Sequence, residues 1–241
     1  NYILAYNGNQ PALEYYELKY LLEHNVKISN LYIDMYIYSA WEEPEISDEK
    51  LFMEVGIEEK YNLWNLIKSS IKDNYFQTMW RFWVNSNNEM ILTWPICSPI
   101  INSQFYNGGT LTTTNNASYE ALSQAPIPTI TDDMNSVQNY YINEIIYLAK
   151  EYNINLIFVE TPKYETVANN STYLSAMLQY AQILSNKQIE YIISENTQSK
   201  CGLAKTHSYS FDHSEVKYFM DTMHLSYAGR ITFTDQLTTK E

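Results

Sequence analysis

The chain has 241 residues, of which 45% are hydrophobic and 18% charged, and its formal net charge at pH 7 is −13. This length and composition are typical of one globular α/β domain with a sizeable core, and they exclude a disordered chain. The acidic charge, without any cluster of Lys and Arg, disfavours contact with a phosphate backbone, so we expect no nucleic-acid partner. The sequence contains no apolar run long enough to predict a membrane-spanning helix.

The chain opens with a pattern typical of a βαβ unit. The apolar run NYILAY predicts a strand over residues 2–6, and the turn formers NGNQ follow it. Pro11 begins a helix in which apolar residues recur at helical spacing as far as His24. The run NLYIDMYIY predicts a strand over residues 30–38. A strand, a helix and a second strand in this order predict a parallel sheet.

The stretch from Trp41 to Thr131 interrupts this pattern. It contains all five tryptophans, an acidic segment, and a long part rich in Pro, Gly, Asn and Thr. Long stretches without regular periodicity are typical of insertions in a compact domain. We therefore predict a single α/β domain over residues 1–241, with residues 41–131 as an insertion or lid within it.

The alternation of helix and strand patterns resumes after the insertion. It predicts, in chain order, a helix over 135–153, a strand over 154–160, a helix over 171–187 and a strand over 189–194. A polar loop then leads to Asp221, and LSYAGRITFTDQLTTK predicts a last helix. The whole order predicts a three-layer α/β/α sandwich with a mainly parallel sheet.

An aspartate and a histidine lie between the last predicted strand and the last helix. Asp221 precedes His224 by three residues. In open α/β sheets, catalytic groups collect outside the carboxyl ends of the strands. A carboxylate at this spacing can accept a hydrogen bond from imidazole Nδ1, which leaves Nε2 as a general base. The alternative is that His224 only caps the helix and Asp221 is a solvated loop residue.

Three segments resemble the SGNH (GDSL-type) hydrolase superfamily. DTMHLSYAGR resembles its terminal D-x-x-H block, in which Asp and His complete a Ser-His-Asp triad; here these are Asp221 and His224. The segment from AYNGNQPALEYY to NLYIDMYIY resembles its second block, which implies that Gly8 and the adjacent Asn9 contribute to oxyanion and substrate binding. INLIFVETPKYE resembles the strand and proline turn of the cell-envelope branch, which includes DltD-like proteins and SGNH partners of membrane-bound O-acyltransferases.

The resemblance implies a flavodoxin-like sheet and a serine esterase or O-acyltransferase that needs no cofactor. The expected substrate is an acylated cell-envelope polysaccharide, a related polymer or a small ester, and the expected partner is a membrane-bound O-acyltransferase. The family's serine lies in a GDS-like turn before the glycine block, whereas no serine here follows a Gly-x spacing. We therefore expect the serine upstream of residue 1, with an N-terminal anchor that places the domain outside the cytoplasm. The alternative is a non-catalytic SGNH-like binding or assembly protein.

A metal site is a second interpretation of the histidines near the end of the chain. His207, Asp212 and His213 are close in sequence, but zinc ligands usually occur in tighter pairs. The cysteines, Cys97 and Cys201, are remote and have no metal-type spacing, so we predict no metal. These two cysteines form either a disulfide or two unrelated thiols.

Aromatic residues of the insertion also have two interpretations. Trp80, Trp83 and Trp94 could form a platform on which sugars stack. Aromatic residues at helical spacing more often belong to a core, because they bury a large apolar area. His24 fits a core or helix-cap residue.

Overall fold

The computed structural model describes residues 11–39, 61–62, 64–65, 68, 75–80, 117–125, 136–203 and 208–238. These residues fall into two compact units. The first unit contains the described residues before 30, those between 61 and 80, and residues 136–154. The second contains residues 30–39, 117–125 and 155–238 apart from 204–207. The strand predicted over 2–6 and most of the predicted insertion lie outside the described residues.

Helices and strands alternate along the described chain. In order, they are α1 (Pro11–Glu23), β1 (Asn30–Asp34), α2 (Tyr75–Trp80), α3 (Tyr119–Gln124), α4 (Ser136–Glu151), β2 (Asn155–Val159), α5 (Glu165–Ala168), α6 (Ser171–Asn186), β3 (Glu190–Ser194), α7 (Glu195–Cys201), β4 (Ser208–Tyr209) and α8 (Tyr227–Thr238). Short 3₁₀ helices cover Met35–Ser39 and Val216–Tyr218. None of the described helices combines the length and hydrophobicity that a membrane span requires.

Parallel strands form the sheet of the second unit. In the described part of the chain, β1, β2, β3 and β4 pair in this sequential order, and every pair is parallel. The register places Asn30 opposite Asn155 and Asp34 opposite Val159. The prediction of an α/β fold with a mainly parallel sheet is therefore confirmed.

Helices cover both faces of this sheet. Val159, at the end of β2, packs in a core cluster with Phe233 of α8. The next residue, Glu160, binds the hydroxyl of Tyr173 in α6. Successive residues of a strand point to opposite faces, so α8 and α6 lie on opposite sides of the sheet. The predicted three-layer arrangement is therefore present within the second unit.

β1 is shorter than the sequence predicts. The prediction of a strand over 30–38 is wrong after Asp34, where a 3₁₀ helix replaces it. The Oδ1 atom of Asp34 accepts a hydrogen bond from the backbone N–H of Tyr36 at 3.0 Å. This local bond offers the backbone a turn in place of the ladder. It leaves the Asp34 side chain at the carboxyl end of the strand.

In the first unit, α1 packs against α4 through aromatic side chains. The hydroxyls of Tyr16 and Tyr141 are 3.2 Å apart in a buried hydrogen bond. Burial, followed by the proximity of Tyr16, raises the pKa of Tyr141, so this phenol stays protonated. His24 is exposed and its Nδ1 atom lies 2.8 Å from the carbonyl oxygen of Tyr20, which makes it a cap at the end of α1.

A buried carboxylate holds the second unit together at the carboxyl end of its sheet. Glu160 is 1% exposed. Its Oε1 atom accepts hydrogen bonds from the hydroxyls of Tyr173 at 2.9 Å and Thr197 at 2.6 Å. Its Oε2 atom accepts one from the backbone N–H of Ser194 at 2.8 Å. The carboxylate thus joins β2 to α6, β3 and α7.

The tyrosines around Glu160 are fixed as donors. Tyr209 of β4 donates its hydroxyl proton to the carbonyl oxygen of Glu160 at 2.7 Å. Burial, and then the charge of Glu160, raises the pKa of both Tyr173 and Tyr209 well above the ordinary value. Both hydroxyls therefore stay protonated at a pH at which an exposed tyrosine would ionise.

We expect Glu160→Gln to destabilise the protein by about 2–3 kcal/mol, because the amide group would face at least one hydrogen-bond donor with another donor. Urea unfolding followed by circular dichroism measures this loss. Glu151→Gln, at an exposed position near the end of α4, is the matched control and should change stability by less than about 0.5 kcal/mol. Equal losses in the two variants would contradict this account of Glu160.

Candidate active site

The segment between β4 and α8 forms a closed loop that carries Asp221 and His224. Phe219 and Leu225 pair in an antiparallel bridge at its base. The backbone N–H of Met220 donates to the carbonyl oxygen of His224 at 2.9 Å. Phe219 is fully buried, in a cluster with Tyr164 and Leu122 of α3. The base of the loop is therefore anchored by a buried hydrophobic side chain. Full burial of a side chain such as Phe219 contributes roughly 1.5–3 kcal/mol to the free energy of unfolding.

The start of α8 fixes the far end of this loop. The buried hydroxyl of Ser226 accepts a hydrogen bond from the backbone N–H of Gly229 and donates one to the carbonyl oxygen of Lys217. A Cβ atom at position 229 would lie 2.1 Å from the carbonyl oxygen of Tyr218, so only glycine fits this approach. Ser226, and not His224, is the side chain that caps the helix.

Asp221 holds His224 through both its side chain and its backbone. The Nδ1 atom of His224 lies 2.8 Å from Oδ2 of Asp221, so the hydrogen bond predicted from the spacing is present. Oδ1 of Asp221 accepts hydrogen bonds from the backbone N–H of Met223 at 2.7 Å and of His224 at 2.8 Å. The His224 side chain is 70% exposed, which leaves Nε2 accessible to a reacting group. The catalytic roles of both residues stay predictions.

The hydrogen bonds to Asp221 determine its charge state. Partial burial raises the pKa of Asp221, but the bonds from the His224 side chain and from the Met223 and His224 backbone outweigh this effect and lower the pKa below the ordinary value. A hydrogen-bonded pair this exposed contributes little to the free energy of unfolding. The pair therefore orients the imidazole more than it stabilises the fold.

Contacts to the segment after β2 place the loop at the carboxyl edge of the sheet. The backbone N–H of Tyr164 donates to the carbonyl oxygen of Thr222 at 3.0 Å. The Nζ atom of Lys163 lies 3.4 Å from the carbonyl oxygen of Met223. Thr222 and Met223 are the two residues between Asp221 and His224. The carbonyl oxygens of both residues are therefore bound by the segment that follows β2.

Side chains that the sequence analysis did not select lie beside this loop. The hydroxyl of Thr161 donates to Oδ2 of Asp34 at 2.6 Å. The Nζ atom of Lys163 donates to the hydroxyl oxygen of Thr161 at 2.6 Å and lies 3.6 Å from Oδ2 of Asp34. Asp34 is the last residue of β1, and Thr161 and Lys163 come shortly after β2. This position at the carboxyl ends of strands is the signal that could have identified them.

Asp212 and His213 have separate structural roles. The Nδ1 atom of His213 donates to the carbonyl oxygen of Lys163 at 2.7 Å. Asp212 accepts hydrogen bonds from the hydroxyl and the backbone N–H of Ser214, and these bonds lower its pKa. Among the residues that the structure describes, no three His, Cys, Asp or Glu side chains converge as metal ligands would. His207, the third member of the group considered above, lies outside those residues.

The remaining sequence candidates are only partly described. Cys201 is a free thiol within the described ranges, and its Sγ atom lies 3.4 Å from the carbonyl oxygen of Leu174. Trp80 ends α2 in the first unit. Further candidates lie outside the described residues, and these are Gly8, Asn9, Trp83, Trp94 and Cys97.

No protein-family model, curated protein or solved structure matches this chain. The likeness of the D-x-x-H loop to that of SGNH hydrolases therefore stays a prediction from the sequence.

We expect Gly229→Ala to cost about 2–3 kcal/mol of stability, because its Cβ atom would overlap the carbonyl oxygen of Tyr218. Gly202→Ala is the comparison, since it adds the same methyl group in open space at a φ of 64°. Its cost should be only about 1 kcal/mol, from backbone strain. Urea unfolding of the two variants gives the comparison, and a smaller loss at position 229 than at 202 would refute it.

The lowered pKa of Asp221 has a direct test by NMR. In the wild-type chain, the side-chain carboxyl of Asp221 should titrate below the ordinary aspartate value, so the hydrogen bonds to it are lost only as the pH falls through that lowered pKa. His224→Ala removes the strongest of these bonds, and we expect the midpoint to move upward. His24→Ala, at an exposed histidine of the first unit, should leave the midpoint unchanged.

Proposed function

We propose that this protein is an SGNH-type serine esterase or O-acyltransferase that acts on an acylated cell-envelope polysaccharide or a related polymer. The nucleophilic serine comes from a segment upstream of residue 1. The observation that carries the proposal is the hydrogen bond between His224 and Asp221, in a loop at the carboxyl edge of a parallel sheet.

The geometry supports a general-base role for His224. Asp221 accepts a hydrogen bond from the Nδ1–H group, so the lone pair of the neutral imidazole lies on the exposed Nε2 atom. In the proposed reaction, Nε2 takes the proton of the serine hydroxyl as the serine oxygen attacks the ester carbonyl, and it later returns a proton to the leaving alcohol. The low pKa of Asp221 keeps its carboxylate charged, which stabilises the imidazolium formed between these steps.

The remaining parts of the mechanism come from the resemblance. The backbone N–H of Gly8 binds the developing oxyanion, and Asn9 contributes to oxyanion or substrate binding. Water accepts the acyl group in an esterase, and a sugar hydroxyl accepts it in a transferase. The exposure of His224 supports a polymeric substrate, because a chain can approach an open edge more easily than a closed pocket.

The net charge of −13 repels anionic polymers, and it therefore favours neutral sugars over polyanions as the acyl acceptor. The proposed site of action is outside the cytoplasm, with a membrane-bound O-acyltransferase as the partner that supplies acyl groups. No cofactor takes part in the proposed reaction.

The test uses the complete protein as the cell produces it, with p-nitrophenyl acetate as substrate. We expect His224→Ala to lower kcat by about 1,000-fold or more, because the imidazole is the general base. Asp221→Asn should cost as much or less, since Asp221 acts through the imidazole. His24→Ala is the matched control and should leave kcat unchanged.

A fluorophosphonate that reacts with activated serines provides the second measurement. The wild-type protein should incorporate one label, and His224→Ala should incorporate label far more slowly. Equal hydrolysis and equal labelling by the wild type and His224→Ala would refute the enzyme and favour a non-catalytic SGNH-like binding or assembly protein.

A further inference from the structure

Lys163 is a buried cation beside the candidate active site, and the proposed mechanism gives it no role. We propose that Lys163 is a positioning residue that, with Asp34, orients the Asp221 carboxylate through the peptide groups of the D-x-x-H loop. Its effect on catalysis rests on the proposed function, whereas its effect on Asp221 does not.

The ammonium group of Lys163 is enclosed by side chains and backbone of the second unit. The side chain is only 5% exposed. Three acceptors surround Nζ, namely the hydroxyl of Thr161 at 2.6 Å, the carbonyl oxygen of Met223 at 3.4 Å and Oδ2 of Asp34 at 3.6 Å. Thr161 and Met223 accept hydrogen bonds from the ammonium group, and Asp34 pairs with its charge. The ring of Tyr36 covers a further side, with its centre 5.3 Å from Nζ.

Asp34 anchors this cation to the end of β1. Its Oδ1 atom is held by the backbone N–H of Tyr36, and its Oδ2 atom by the hydroxyl of Thr161. A buried cation is tolerated only when it is paired with an anion that is itself hydrogen-bonded. The Asp34 carboxylate meets that condition, so Lys163 has one defined position.

The geometry of the loop connects Lys163 to Asp221. The peptide group between Met223 and His224 binds Lys163 through its oxygen and Asp221 through its N–H. The preceding peptide group binds the backbone N–H of Tyr164 through the oxygen of Thr222, and it binds Asp221 through the N–H of Met223.

Each peptide group is planar, so fixing its oxygen also fixes the direction of its N–H. A donor bound at the oxygen also polarises the N–H at the other end. Both peptide groups that bind the Asp221 carboxylate are therefore oriented from the segment after β2.

The first test is Lys163→Met, which keeps the unbranched side chain up to the ε position and removes the charged ammonium group. Lys150→Met, at an exposed position of α4, is the matched control. We expect Lys163→Met to move the NMR titration midpoint of Asp221 upward, because its backbone donors become less well oriented. The control should leave the midpoint at its wild-type value. An unchanged midpoint in folded Lys163→Met would overturn the proposal.

The second measurement is kinetic and uses the complete protein. We expect Lys163→Met to lower kcat by roughly 10- to 100-fold with little change in KM, because a misplaced general base slows the chemical step without weakening substrate binding. A wild-type kcat, or a rise in KM alone, would count against the positioning role. If the wild-type protein hydrolyses no ester, the proposed function fails, and the Asp221 midpoint alone decides the role of Lys163.

Asp34→Asn provides the decisive variant if Lys163→Met does not fold. The amide oxygen can keep the hydrogen bond from the backbone N–H of Tyr36. The NH2 group replaces the oxygen that accepts from Thr161, and the substitution removes the charge that holds the ammonium group. We expect an upward shift of the Asp221 midpoint in the same direction as for Lys163→Met. A midpoint equal to that of the wild type would overturn the proposal.

Discussion

The buried carboxylate of Glu160 is the interaction on which the second unit depends. Its oxygens accept hydrogen bonds from three donors that belong to α6, β3 and α7, and its backbone N–H continues the sheet by donating to Ile192. A buried carboxylate is tolerated when its oxygens accept hydrogen bonds, and both oxygens of Glu160 do so. Glu160 directly follows β2 and directly precedes Thr161. The hydrogen bonds that fix Glu160 therefore also fix the start of the segment that carries Thr161 and Lys163.

The candidate site combines an exposed pair with a buried support. Asp221 and His224 are exposed to solvent, where electrostatic attraction between side chains is weak and easily screened. Their geometry is nevertheless defined, because the loop between them is bound by Tyr164 and Lys163 and stands on buried Phe219. Buried contacts beneath an accessible imidazole fix its orientation, which the proposed general base would require.

Several elements could be predicted because their signal is local. The apolar run NLIFV predicts β2, and the spacing of Asp221 and His224 predicts their hydrogen bond. The end of β1 could not be predicted from strand propensity, because the side chain of Asp34 competes for the backbone. The sequence of α7 shows no apolar periodicity that would predict a helix, and the helix begins at the Ser194 cap. The burial of Lys163 depends on partners distant in sequence, which no local pattern indicates.

The hydrogen bond between Asp221 and His224 closes over three residues, whereas the contact between Lys163 and Met223 closes over 60. Short loops close within nanoseconds to microseconds. Contacts between distant residues form later, because closing a longer loop costs more conformational entropy. We therefore expect the aspartate and histidine to meet early, while the chain is still largely unfolded. We expect their final orientation to be acquired later, when the loop docks on the sheet.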